Sequence, residues 1–142
     1  MATLFTRIIE GDLPARFVWR DDRCVAFLSI NPLRPGHTLV VPVEEVDHWI
    51  DLDPGLAQHL MGVAQVVGRA QQGAFRPERV GLVIAGLEVP HTHLHVVPIR
   101  GVDDLDFANA ATDPDPAGLD DAADRLRAAL ADLGHPGASP SS

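Results

Sequence analysis

Val89-Pro90-His91-Thr92-His93-Leu94-His95-Val96-Val97-Pro98 governs the reading of the whole chain. Three of the seven histidines stand on alternate positions here. Side chains alternate faces along a strand, so this spacing predicts one strand with His91, His93 and His95 on a single face. Thr92, Leu94 and Val96 then point to the other side, where β-branched and aliphatic groups suit the core. Pro90 and Pro98 bracket the run, as expected where a ladder starts and stops. A lone imidazole on an apolar face is ordinary packing, whereas three in strict alternation point to chemistry.

Outward from this stretch, composition sets bounds. The chain has 142 residues, enough for one domain with a buried core. Its net charge is −9, and all eleven basic residues are arginine. Such an acidic chain is a poor match for a nucleic-acid backbone or an anionic membrane surface. A mononucleotide remains compatible, because local donors matter more there than total charge. Cys24 is the only cysteine, so an intrachain disulfide and a thiolate zinc cluster are excluded, and its setting in Arg23–Phe27 reads as a buried structural thiol. No stretch reaches membrane-spanning length, and a cytoplasmic protein is the expectation.

The pattern predicts an α+β domain over residues 3–100, with about five mostly antiparallel strands. A short helix over 3–10 starts at Thr3 as N-cap and stops at Gly11-Asp12-Leu13-Pro14. Strands are expected at Phe17–Arg20, Arg23–Ser29, His37–Val41, Val80–Ala85 and the histidine run. Asp53-Pro54 opens one long helix, whose stripe of Leu56, Leu60, Val63, Val67 and Ala70 faces a core. Gly62 and Gly68 inside it suggest a close helix–sheet approach. Residues 101–118 read as a surface arm, Leu119–Leu133 as an extra C-terminal helix, and 134–142 as a disordered tail.

Strand geometry places residues i and i+2 about 7 Å apart and i and i+4 about 13 Å apart. One zinc, with bonds of about 2 Å, can take two of these histidines but not all three. A metal hydrolase using two of them, with His37 or His48 as a further ligand, is one reading. Phosphoryl or nucleotidyl transfer accounts for the third. A neutral imidazole attacks phosphorus well at cellular pH, and its neighbours can hold phosphate oxygens or assist a leaving group. The middle position makes His93 the nucleophile, His95 the phosphate or leaving-group contact, and His91 the residue orienting His93.

These residues resemble the signature of the histidine triad (HIT) family, His-x-His-x-His followed by apolar residues. Leu4–Pro14 resembles that family's N-terminal helix, and Asp21–Pro32 with Pro35–Pro42 its strand–loop–strand core. The resemblance covers about residues 3–99. It implies a homodimer built through the long helix and sheet edges, a purine-nucleotide site, and attack at the α-phosphorus to give a nucleotidyl-histidine. It assigns His93 as nucleophile, His95 as phosphate or leaving-group contact, and His91 and His37 as supporting histidines. Leu4, Phe5, Ile8, Phe27 and Ile30 match positions that sandwich the base. Read from the residues alone, those five are core.

Departures from the family pattern shape the expectations. Ser29 stands where an aspartate usually holds the ribose hydroxyls, and it offers a single hydroxyl instead of a two-acceptor carboxylate. Leu87 stands where a phosphate-binding glutamine is usual, and no asparagine precedes it. A nucleotide-binding module with little catalysis is therefore the alternative to a hydrolase or transferase. Some family members hold zinc through paired N-terminal cysteines. Thr3 and Thr6 take those places here, so neither metal nor cofactor is expected. His48, His59 and His135 lack sequence partners, with His59 expected on a solvated helix face. The acidic pairs around Asp103 and Asp120 read as solvated surface.

Overall fold

The computed structural model describes residues 2–135, so 136–142 of the tail expected over 134–142 lie outside the described residues. Gly134 and His135 are not loose: their N–H groups bond the Ala131 and Leu130 carbonyls, and the His135 ring packs on Trp19 at 5.5 Å. Its strands are β1 (Phe17–Arg20), β2 (Cys24–Leu28), β3 (Thr38–Pro42), β4 (Arg79–Val83) and β5 (Leu94–Ile99). They form one sheet in the order β1-β2-β3-β5-β4, with every neighbouring pair antiparallel. The helices are α1 (Leu4–Ile9), α2 (Pro54–Phe75) and α3 (Pro116–Asp132). No described helix is long and apolar enough to cross a membrane.

Each face of the sheet has its own core. On one face, α2 and α3 cover Val18, Cys24, Ala26, Val40, Leu94 and Val96. The predicted stripe of α2 is what docks there, from Leu56 through Ala70. Gly68 permits the close approach, since a Cβ on it would stand 3.3 Å from Val80. On the other face, α1 lays Phe5 and Ile8 against Phe17, Val25, Phe27, Leu39 and Val41. His95 pairs across the ladder with Leu39, so it belongs to this second face.

Local capping explains the helix boundaries. Thr3 accepts from the Thr6 N–H at 3.1 Å and starts α1. The Asp53 carboxylate receives the Gly55 and Leu56 N–H groups ahead of Pro54. The same Asp-Pro device opens α3 three residues before its predicted start, where the Asp115 side chain caps Ala117. α3 is pinned to β1 by Arg127 Nε on the Phe17 carbonyl at 2.8 Å, and to Arg16 just before β1 by the Arg16–Asp120 ion pair at 2.7 Å.

Two expectations need correction. The histidine run is not one strand: β5 begins at Leu94, after two of its histidines. Both the N–H and the hydroxyl of Thr92 bond the Val46 carbonyl at 2.7 Å, which draws this segment away from the ladder. His59 is not on a solvated face. Its Nε2 lies 2.8 Å from Asp21 Oδ2, with the imidazole about one-third exposed. The β1–β2 turn rises to meet α2, a long-range contact that helix periodicity does not encode.

Candidate active site

The histidines converge although only His95 lies in the sheet. The His93 and His95 rings meet edge to face at 4.9 Å. Phe5 from α1 packs between His91, at 5.7 Å, and His93, at 4.9 Å. His37, the last residue of the β2–β3 loop, approaches from the next strand, with its Nε2 3.0 Å from His95 Nδ1. His37, His91 and His93 are buried. The residues named from the pattern therefore meet in space, but by loop geometry instead of strand alternation.

Hydrogen bonding determines which ring nitrogen carries each proton. The Leu33 N–H donates to His37 Nδ1 at 3.0 Å, so that nitrogen is an acceptor. Neutral His37 then carries its proton on Nε2 and donates it to His95 Nδ1. His95 must in turn carry its own proton on Nε2. His93 Nδ1 lies 2.8 Å from the His91 carbonyl, which only accepts, so Nδ1 holds the proton and Nε2 keeps its lone pair. No described residue bonds to that lone pair.

Burial keeps these rings neutral. It pushes His37 down to about 4, reinforced by the charge His93 would carry. It pushes His95 down to about 3, with His37 and His93 adding to the effect. His93 is also lowered, chiefly by burial, although its bond to the His91 carbonyl works the other way. A neutral His93 with a free Nε2 is in the form that attacks phosphorus.

Both ring nitrogens of His91 are engaged by the scaffold. Its Nε2–H donates to the Pro42 carbonyl and its Nδ1 accepts from the Thr3 hydroxyl, both at 2.7 Å. The ring thus anchors α1 to the end of β3, and His91 orients His93 through its backbone carbonyl. The Thr6 hydroxyl donates to Glu45, which also receives the Thr3 N–H. Two hydroxyls engaged in this way do not fit the thiolate pair of a cysteine-type zinc site.

The expected base-binding positions divide in two. Phe5, Ile8 and Phe27 are buried, whereas Leu4 and Ile30 are 47% and 65% exposed. Ser29 accepts the Asn31 N–H at 3.2 Å. Leu87 is 93% exposed and presents no donor.

Sequence reasoning missed Phe107. The arm after β5 is built from short 3-10 turns and is bound down, with the Asp106 carboxylate capping the turn that starts at Phe107. It is strapped to the β2–β3 loop by the Asn31 amide on the Ala111 carbonyl at 2.9 Å, and by the Ala111 N–H on the Pro32 carbonyl at 3.1 Å. This brings the Phe107 ring edge-on to His95 at 4.8 Å. The one signal was a lone aromatic in an otherwise small and acidic segment. Gln71 of α2 was missed too, although its buried amide holds the Gly36 and Val96 carbonyls at 2.9 and 2.8 Å and steadies the backbone at His37.

Residues 10–102 match the HIT domain. The chain belongs to the HIT family. This HIT protein is 36% identical over 101 residues to an uncharacterised HIT-like protein of Methanocaldococcus jannaschii, a span of 67% of this chain and 77% of the relative. It is 33% identical over 123 residues to an uncharacterised HIT-like protein of Mycobacterium tuberculosis, covering 81% and 85% of the two chains. Among solved structures, it is similar to a zinc-bound histidine triad family protein from Mycobacterium smegmatis. There the TM-score is 0.82 at 33% identity, over 94% of this chain and 96% of that one. A HIT family hydrolase from Legionella pneumophila gives a TM-score of 0.58 at 28% identity, over 68% and 91%.

Proposed function

We propose that this HIT protein is a hydrolase or transferase that cleaves purine nucleoside 5′-phosphate derivatives at the α-phosphorus. The observation that carries the reading is the proton arrangement. It leaves His93 with an unprotonated Nε2 and His95 with an Nε2–H, their rings in edge contact. His93 Nε2 attacks the α-phosphorus, a nitrogen–phosphorus bond forms, and the bond to the leaving group breaks. His95 donates a hydrogen bond to a phosphate oxygen or the leaving-group atom, and solvent supplies the leaving group's proton. Water then attacks the nucleotidyl-histidine, releasing the mononucleotide and restoring neutral His93. His37 holds His95 in the donor tautomer. The base would lie against Leu4, Phe5, Ile8, Phe27 and Ile30, with Ser29 at the ribose.

A second copy of the chain would cover the apolar ground between α2 and the outer edge of β4, where Met61 and Leu82 are exposed. Such a homodimer is the assembly the resemblance implies.

The test is intact-mass analysis after mixing with adenosine and guanosine phosphoramidates. A covalent nucleotidyl adduct should appear and should be absent from His93→Ala. That variant should lose at least about a thousandfold in turnover while keeping its fold, the scale of losing a nucleophile. Unchanged turnover in His93→Ala on every substrate tested would remove this mechanism. The second reading, a nucleotide-binding module with little catalysis, is favoured by Leu87, whose exposed aliphatic side chain cannot hold a phosphate oxygen. It predicts that a purine monophosphate binds but no adduct forms.

A further inference from the structure

We propose that Asp21, Cys24 and His59 form a site for a zinc-class divalent cation on the sheet face opposite the histidines of the active site. The carboxylate, thiol and imidazole ligand atoms all lie within 4.8 Å of one another. They come from three places: the β1–β2 turn, the first residue of β2, and α2. Cys24 packs in the core under α2 and α3, whereas His95 shares the opposite face with Leu39.

The spacing suits a four-coordinate ion. Zinc bonds of about 2.0 Å to nitrogen and oxygen and 2.3 Å to sulfur set neighbouring ligand atoms roughly 3.3–3.7 Å apart. Cys24 Sγ lies 3.6 Å from Asp21 Oδ2, already at that separation. His59 Nε2, at 2.8 Å from the same oxygen, needs to withdraw by about half an ångström to reach it. Asp21 is aimed by its surroundings. Its Oδ1 receives the Arg23 and Cys24 N–H groups, both at 2.8 Å, which leaves Oδ2 directed into the cluster. The Trp19 indole N–H donates to Oδ2 at 2.8 Å, an outer contact of the kind that orients metal ligands. Asp21 and His59 are about a quarter and a third exposed, so a water reaches the fourth position while the sulfur stays dry.

Charge and proton bookkeeping close. A divalent ion with one carboxylate and one thiolate is neutral, as a partly buried site requires. Binding releases the Cys24 thiol proton to solvent, and His59 moves its proton to Nδ1 so that Nε2 can ligate. The thiolate selects zinc-class ions over magnesium or calcium, which prefer all-oxygen sites. Occupation ties the β1–β2 turn to α2, so the bound ion is structural and raises thermal stability.

The experiment uses the full chain, stripped with a chelator and titrated with Co(II), then with Zn(II) as competitor. Cys24 is the chain's single cysteine, so a thiolate-to-cobalt charge-transfer band reports this site alone. The band should appear at one equivalent, vanish with Zn(II), persist in excess magnesium, and quench or shift Trp19 emission in a Trp49→Phe background. His59→Ala should weaken Co(II) binding at least tenfold, and Cys24→Ser should abolish the band. If the buried Cys24→Ser variant misfolds, the wild-type band and the His59→Ala variant, at a partly exposed position, still decide. Co(II) bound with no thiolate band, no binding at all, or equal affinity in His59→Ala overturns the proposal.

Discussion

Acid should destabilise this protein through the His37–His95 pair before its carboxylates titrate. In the fold, burial holds His37 at about 4 and His95 at about 3. In the unfolded chain both return to the ordinary histidine value near 6.5. Between those values the unfolded chain binds protons that the folded chain refuses. Stability is therefore complete above about pH 6.5 and is lost as pH falls toward the folded values. For His37 the displacement of about 2.5 units, at 1.36 kcal/mol each, comes to about 3 kcal/mol. That is a large share of a typical domain's total of about 5–15 kcal/mol. The assay is urea unfolding of wild type and His37→Gln at steps from pH 7.5 to 4.5. Glutamine can accept from the Leu33 N–H and donate toward His95, but it does not titrate. Wild type should lose more stability across the window than His37→Gln, by about 2–3 kcal/mol. Parallel curves for the two proteins would show that neutral burial of His37 is not what the fold maintains.

Other outcomes follow from the same geometry. Turnover of an adenylated substrate should stay level as pH drops through 6.5 and decline only below it, because His93 is held neutral by burial; a midpoint above 6.5 in a pH–rate profile would contradict this. Gly36→Ala should cost at least about 2 kcal/mol in thermal unfolding, from a left-handed backbone at φ +91 and overlap with the Phe75 ring. The same loop carries His37, so activity in that variant should fall further than stability alone accounts for. Leu87→Gln restores a donor at the position where the family usually has one, and it should raise kcat with little change in KM, on the ~10²-fold scale of one oxyanion donor. Equal kcat in the two proteins would mean that the loop at Leu87 lies away from the phosphate.

Much of the fold was legible from local chemistry. The Asp53-Pro54 start of α2, its apolar stripe, the Thr3 cap and the positions of the first four strands are written in neighbouring residues, because capping and periodicity are short-range. The α3 start at Pro116 followed the same rule and was missed among the acidic residues of the arm. The acidic pairs are solvated as expected, with Asp103, Asp106, Asp120 and Asp121 exposed and Asp104 partly so, while Asp104 and Asp106 also accept backbone N–H groups that shape the arm. Strand alternation for the histidines failed at Thr92, because its partner Val46 lies in a distant loop.

The sequence alone determined most of the elements and named the residue types of the candidate site: imidazoles in a HIT-like α+β chain, with Ser29 and Leu87 marking where this member departs. It could not determine which nitrogen of each ring is free. That depends on Leu33, Thr3 and Pro42, brought to the histidines from three other segments, and on how the backbone at His91 turns its carbonyl to His93. Nor could it place Phe107 on His95, or Asp21 and Cys24 beside His59. Residue type sets what a side chain can do, while proton position, burial and partners arise only when remote segments are packed together.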